Sequence, residues 1–126
     1  VLSSASRYLV CTHDKGIRVF SLRSPVNSRP LIIDNLGYLH DCLVGCVDLD
    51  DGQKSFIILV VNHRIRILSL YQGDDELLYT EAALIHRMPT SGGDKATSTW
   101  IRRRSPDCLL LFIAFTDGIE CFRVQV

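Results

Sequence analysis

Three stretches of the chain repeat one pattern of apolar and polar positions. The first is Tyr8-Leu9-Val10-Cys11-Thr12, a polar break at Asp14-Lys15-Gly16, and a return through Ile17-Arg18-Val19-Phe20-Ser21-Leu22. The second runs from Phe56 to Val61, breaks at Asn62-His63-Arg64 and returns from Ile65 to Leu70. The third runs from Leu109 to Phe115, breaks at Thr116-Asp117-Gly118 and returns from Ile119 to Val124. Anchored on Ile17, Ile65 and Ile119, the returning segments align without gaps at spacings of 48 and 54 residues. In each of them apolar residues alternate with Arg18, Arg66 or Glu120, the period of a strand that buries one face. This alternation predicts burial of Ile17, Val19, Ile65, Ile67, Ile119 and Cys121. The outgoing segments are apolar almost throughout, as in strands covered on both faces. Gly16 and Gly118 are expected to supply the positive φ that tight hairpin turns often need.

Two of the units carry a matching lead-in. Cys46-Val47-Asp48-Leu49-Asp50-Asp51-Gly52 precedes the second outgoing segment, and Trp100-Ile101 with Ser105-Pro106-Asp107-Cys108 precedes the third. Each reads as a strand followed by a turn. Leu31-Ile32-Ile33 and the stretch from Leu77 to Ile85 read as fourth strands. Four strands in a period of about 40–50 residues is the signature of a propeller blade.

On these residues the chain resembles the WD40-like β-propeller family, whose blades often carry a Ser-Pro-Asp-Gly turn and an Asp-Gly hairpin before an Ile-x-apolar-Trp strand. Ser105-Pro106-Asp107 and Asp117-Gly118-Ile119 stand where those elements belong. Phe20, Leu68 and Phe122 replace the usual Trp, and Ser21, Ser69 and Arg123 replace the Asp after it. The expected fold is all-β: two to three four-stranded antiparallel blades of an incomplete propeller. Blade one spans residues 5–41 from its second strand, a complete blade spans 42–85, and blade three spans 86–126 without its last strand. An independent β-sandwich of about nine strands is the alternative, but its strands need not recur in register.

Composition narrows the function classes. Of 126 residues, 47% are hydrophobic and 22% charged, which is the make-up of a packed globular chain. Fourteen Lys and Arg balance fourteen Asp and Glu, so no net field selects nucleic acid or an anionic membrane. The longest apolar stretch, Phe56 to Val61, falls far short of the roughly 20 residues that span a bilayer. Val1-Leu2-Ser3-Ser4 has no basic region followed by an apolar core, so it reads as a cut end and not as a signal peptide. Five cysteines, four of them in apolar runs, fit a reducing setting in cytoplasm or nucleus.

Candidate chemistry is sparse. Cys42-x-x-x-Cys46 lacks the second pair of a structural zinc site. Asp48, Asp50, Asp51 and Gly52 lack the closing Glu of a calcium loop and read as a polar turn. No nucleophile elbow, phosphate-cradling glycine loop or zinc-protease motif occurs, and Gly92-Gly93 has no Lys-Ser/Thr after it. No catalytic, cofactor or metal residues are therefore assigned, and no enzymatic activity is expected. The strongest charge feature is Arg102-Arg103-Arg104 beside Trp100, a candidate anion-binding cluster; the favoured reading is one outward Arg with the others forming a turn, because basic interleaving is not repeated elsewhere and net charge is zero. Arg102 to Ser105 also resembles a basophilic-kinase target.

The resemblance implies a rigid scaffold that holds loops toward other protein subunits, completed by the remaining blades of the same propeller. The loop expected from His86 to Ser98 is long and polar, and it carries the candidate partner-binding residues Arg87, Met88, Thr90, Asp94 and Lys95, with His63 and Arg64 on the same face. The rival readings are a nucleic-acid-binding propeller using Arg102 to Arg104, and the non-catalytic part of a propeller enzyme.

Overall fold

The computed structural model describes residues 1–22, 29–34, 36, 42–49, 54–61, 64–73, 76–84, 96–116 and 118–125. Among these residues ten strands form: β1 (Tyr8–His13), β2 (Gly16–Ser21), β3 (Leu31–Ile33), β4 (Leu43–Leu49), β5 (Lys54–Val61), β6 (Arg64–Gln72), β7 (Leu77–Leu84), β8 (Ala96–Ser105), β9 (Cys108–Phe115) and β10 (Gly118–Gln125). All sequence-adjacent pairings are antiparallel and build three sheets: β1-β2-β3, β4-β5-β6-β7 and β8-β9-β10. No helix among the described residues is long and apolar enough to cross a membrane.

The three hairpins close at the same register. His13 pairs with Gly16, Val61 with Arg64, and Phe115 with Gly118, so each turn has two residues between its last rungs. The glycines begin the returning strands and do not serve as left-handed turn residues: neither Gly16 nor Gly118 adopts positive φ. Gly16 is needed for space, since a Cβ there would collide with the carbonyl oxygen of Ile33 on β3. The one non-glycine residue with positive φ among those described is Ser6, at 55°, in the turn that leads into β1.

Register carries the repeat through all three sheets. Phe20 lies opposite Leu9, Leu68 opposite Ile57, and Phe122 opposite Leu111. Residues 20, 68 and 122 are therefore equivalent, as are 19, 67 and 121. Residues 1–3 add a short edge to β1 through a Leu2–Leu9 bridge, with Ser3 N–H donating to Tyr8 O at 2.9 Å. They stand where β4 and β8 stand in the later sheets.

The core is two apolar layers separated by the middle sheet. One layer joins Val10, Ile17, Val19 and Ile33 of the first sheet to Cys46, Ile57, Leu59 and Leu68 of the middle one. The other joins Phe56, Ile58, Val60 and Ile67 of the middle sheet to Leu109, Leu111, Ile113 and Phe122 of the third. Among the described residues the middle sheet alone is covered on both faces, so Phe56 to Val60 is buried without interruption, whereas β9 alternates buried and half-buried. The largely apolar outgoing strands β1 and β9 thus bury one face each, not the two that their composition predicts.

The order of faces is decisive. The first sheet packs the face bearing positions 17 and 19 against the middle sheet's face bearing 68 and 70. The middle sheet packs its 65 and 67 face against the third sheet's 122 and 124 face. Equivalent positions never meet, so each sheet presents the same face to the next, head to tail. A propeller requires this stacking, whereas a two-sheet sandwich can close with any pair of faces. The arrangement is all-β, three antiparallel sheets that do not close into a barrel, and it fits an incomplete propeller.

This stacking corrects the predicted burial in the third unit. Ile17, Val19 and Ile67 are fully buried and Ile65 is half-buried, but Ile119 is 73% exposed and Cys121 is exposed. Phe122 and Val124 are buried instead. The third sheet has a neighbour only on its other face, so the same alternation there buries the opposite set. Glu120 falls on the inward face in consequence, with Oε2 buried and without a hydrogen-bond partner among the described residues.

The second and third sheets are also joined at an edge. β7 pairs with β6 from Leu77 to Ala82, then Ala83 and Leu84 pair with Gln125 and Val124 of β10. This covers the end of an edge that a fourth strand of the third sheet would otherwise take. The β7–β10 pairing makes one run of strands, β4-β5-β6-β7-β10-β9-β8, whose two end strands β4 and β8 lie side by side; a Cβ on Gly45 would collide with the Thr99 hydroxyl.

Candidate functional site

Two features outside the core could do chemistry or binding: a polar junction between the first two sheets, and the outward faces of the end sheets. The junction centres on Asp48 in β4. Its Oδ2 accepts from the backbone N–H of Ala5 at 2.7 Å, its own N–H donates to Ser4 Oγ at 2.8 Å, and its Oδ1 accepts from the Ser55 hydroxyl. Ser55 is buried, so Asp48 supplies a partner that this hydroxyl needs. Ser3 does a related job one turn away, its Oγ accepting from the N–H groups of Arg7 and Tyr8. The Tyr8 hydroxyl is held above its ordinary pKa chiefly by burial. Asp48 thus spans two sheets, whereas the sequence placed it only in a polar turn with Asp50 and Asp51, which lie outside the described residues.

The cysteines are thiols without disulfide partners. Burial pushes the Cys42 thiol up, and pushes Cys46 up to about 12, with the nearby Asp48 charge adding to the effect. Both therefore stay protonated at neutral pH, which makes them poor nucleophiles and poor metal ligands. No three His, Cys, Asp or Glu side chains converge among the described residues.

The arginine cluster is strand throughout, where the sequence predicts one arginine in the strand and the others in its turn. Arg102, Arg103 and Arg104 all lie in β8, and a register shift between Arg103 and Ser105 marks a bulge. Arg103 Nη1 donates to Ser105 O at 3.4 Å and to Pro106 O at 3.1 Å, holding the turn into β9. The Ser105 hydroxyl donates to Asp107 Oδ1 at 2.8 Å, so this serine is committed to the same turn. Arg102 and Arg104 are exposed, and Arg102 shares a strand face with Trp100, which is 62% exposed, on either side of the buried Ile101.

Of the candidate partner-binding residues, Arg87, Met88, Thr90, Asp94, Lys95 and His63 lie outside the described residues, and Arg64 opens β6. The loop expected to reach Ser98 is shorter than predicted, because Ala96 to Ser98 already belong to β8. The ends of the 85–95 connection are held firmly, one by the β7–β10 pairing and the other by β8.

The fold and the stacking define a class, head-to-tail antiparallel sheets of repeated register. Compared with models of known protein families and with curated protein sequences, the chain matches none.

Proposed function

We propose that the chain is a segment of a WD-repeat-type β-propeller that acts as a protein-interaction scaffold in a multiprotein assembly inside the cell, with no catalytic role of its own. The observation that carries this reading is the head-to-tail stacking of three sheets in one repeated register, with the middle sheet buried on both faces. Such a stack is rigid in its strands and varied in its connections, the division of labour expected of a scaffold that binds through loops. The five free thiols suit a reducing compartment. Other protein subunits are the partners, met through Arg87, Met88, Thr90, Asp94 and Lys95 in the 85–95 connection, with His63 and Arg64.

Amine-reactive crosslinking of the assembled complex, read by mass spectrometry, tests this directly. Lys95 should crosslink to other subunits, and replacing residues 87–95 by a Gly-Ser linker should abolish binding while leaving the melting temperature nearly unchanged. Unchanged binding after that replacement defeats the loop-mediated scaffold.

One observation favours a second reading. Trp100 and Arg102 project from the same exposed face, the pairing of aromatic and cation that single-stranded nucleic acid uses. Salt titration separates the two: phosphate neutralisation gives a steep fall of log K with log salt, and a mixed protein interface a shallow one.

A further inference from the structure

Three arginines run straight into the turn between β8 and β9, and the scaffold role leaves them unused. That turn lies at the end of its strands, not on a face that another sheet would cover. Arg103 Nη1 donates to Ser105 O at 3.4 Å and to Pro106 O at 3.1 Å, and the Ser105 hydroxyl donates to Asp107 Oδ1 at 2.8 Å. Arg104 is the extra residue of the bulge between the Arg103–Leu109 and Ser105–Cys108 rungs, and it is exposed. Pro106 and Asp107 are exposed as well, and Ser105 is half-buried. Pro106 holds the residue before it away from helical backbone, so the run from Arg102 to Ser105 stays extended up to the hydroxyl.

An extended segment with a hydroxyl directly after three guanidinium groups suits the acidic substrate cleft of a basic-directed serine kinase, by charge and by shape. We propose that Ser105 is a phosphorylation site for such a kinase, and that Arg103 binds the phosphate once it is in place. The Ser105 hydroxyl oxygen attacks the γ-phosphorus of a nucleoside triphosphate and its proton passes to the catalytic base of the kinase. The bond from that phosphorus to the β–γ bridging oxygen breaks, and the nucleoside diphosphate leaves. Two changes follow in the turn. The hydrogen that Ser105 gives to Asp107 is gone, and a charge of about −1.5 to −2 beside that carboxylate drives Asp107 outward into solvent. Arg103 already bonds the carbonyl of the same serine, and its charge-assisted bonds to a phosphate are stronger than those it makes to neutral carbonyls.

Treating the folded chain with magnesium–ATP and cyclic-AMP-dependent protein kinase, followed by mass spectrometry and phosphorus NMR, is the test. One phosphate is expected on the fragment containing Ser105, and Ser105→Ala should remove it. Arg102→Gln together with Arg104→Gln should slow the transfer by about tenfold, since each removes a charge-assisted contact to the kinase. In the phosphorylated chain the second pKa of the phosphate should lie below its ordinary value of about 6, and Arg103→Gln should return it toward that value. Arg103→Lys supplies a second variant should the first fail to fold, and should raise the value by less, because it keeps the charge but not the planar fork. No phosphate on Ser105, or equal transfer after the arginine changes, overturns the site. Faster transfer by a proline-directed cyclin-dependent kinase run in parallel makes Pro106 the selecting feature and overturns selection by charge. A phosphate titration unmoved by either Arg103 variant overturns the capture by Arg103.

Discussion

Asp48 and Ala5 are joined across 43 residues of sequence by a 2.7 Å hydrogen bond, from the backbone N–H of Ala5 to the Asp48 carboxylate. Through this contact and the Ser4 hydroxyl, the turn before the first hairpin is fastened to the first strand of the middle sheet. The same carboxylate satisfies the buried Ser55 hydroxyl.

Removing Asp48 should therefore cost more than one exposed hydrogen bond. Asp48→Ala leaves the Ser55 hydroxyl without that acceptor, and a loss of about 2 kcal/mol is expected by chemical denaturation. Ser55→Ala alone should cost roughly 1 kcal/mol, and the double variant less than the sum, because the two act as one unit. Additive losses would show that Asp48 and Ser55 are independent.

Burial of equivalent positions divides sharply between sheets. Ile67 is fully buried and the equivalent Cys121 is exposed. Ile67→Ala should cost about 2–5 kcal/mol, while Cys121→Ala should stay within about 0.5 kcal/mol. Equal losses at the two positions in urea unfolding would contradict the inverted face of the third sheet.

Gly45 tests the close approach of β4 and β8. Gly45→Ala drives a methyl group into the Thr99 hydroxyl and should lose about 1–3 kcal/mol, the usual size of overpacking. Thr99→Ala in the same chain should recover part of that loss, read as a coupling energy in a double-mutant cycle.

The Cys46 thiol makes stability fall in alkali. Its folded value, about 12, lies above the ordinary 9.0, so the unfolded chain releases the proton first. The contribution is complete below pH 9 and declines as pH rises from 9 toward 12. Cys46→Ala should flatten the alkaline limb of a melting-temperature profile; an unchanged limb would locate its cause in another group. In the native chain Cys46 should also react with thiol reagents far more slowly than the exposed Cys11 and Cys121.

The Arg66–Glu81 pair acts at the acid end. Two hydrogen bonds of 2.8 and 3.0 Å hold the Glu81 carboxyl below its ordinary 4.5, an effect due first to the bond from Arg66. Its stabilisation is present above pH 4.5 and disappears as acid protonates the folded carboxylate below that value. Both side chains lie at the surface, 35% and 48% exposed, so Glu81→Gln should cost only about 0.2–1 kcal/mol at neutral pH. The difference from the parent should vanish in strong acid and shrink in high salt.

Much of the local architecture was legible along the chain. The segments Leu31 to Ile33 and Leu77 to Leu84 are strands where extended apolar runs predict them, and the three hairpins begin and end within a few residues of the expected positions. Short-range alternation suffices for this, because a strand's side-chain period is a local property of the backbone. The candidate site was less legible. Arg103 bonds the carbonyls of its own turn, which its neighbours in sequence permit but do not dictate, and Asp48 looks in sequence like one member of an acidic turn. Its partners Ser4 and Ala5 come from the far side of the first hairpin, beyond the reach of any local pattern.

By itself the sequence determined which residues form strands, their antiparallel hairpins and the register that makes Ile17, Ile65 and Ile119 equivalent. It could not choose which face of an end sheet would be buried, because Ile119 and Phe122 are both apolar and alternation is satisfied by either. Tertiary structure decided that by stacking the sheets head to tail, so that burial at each position depends on which neighbour stands beside it. The physical reason is that apolar side chains are drawn out of water wherever a complementary surface exists, and the position of that surface is set by packing between sheets distant in sequence.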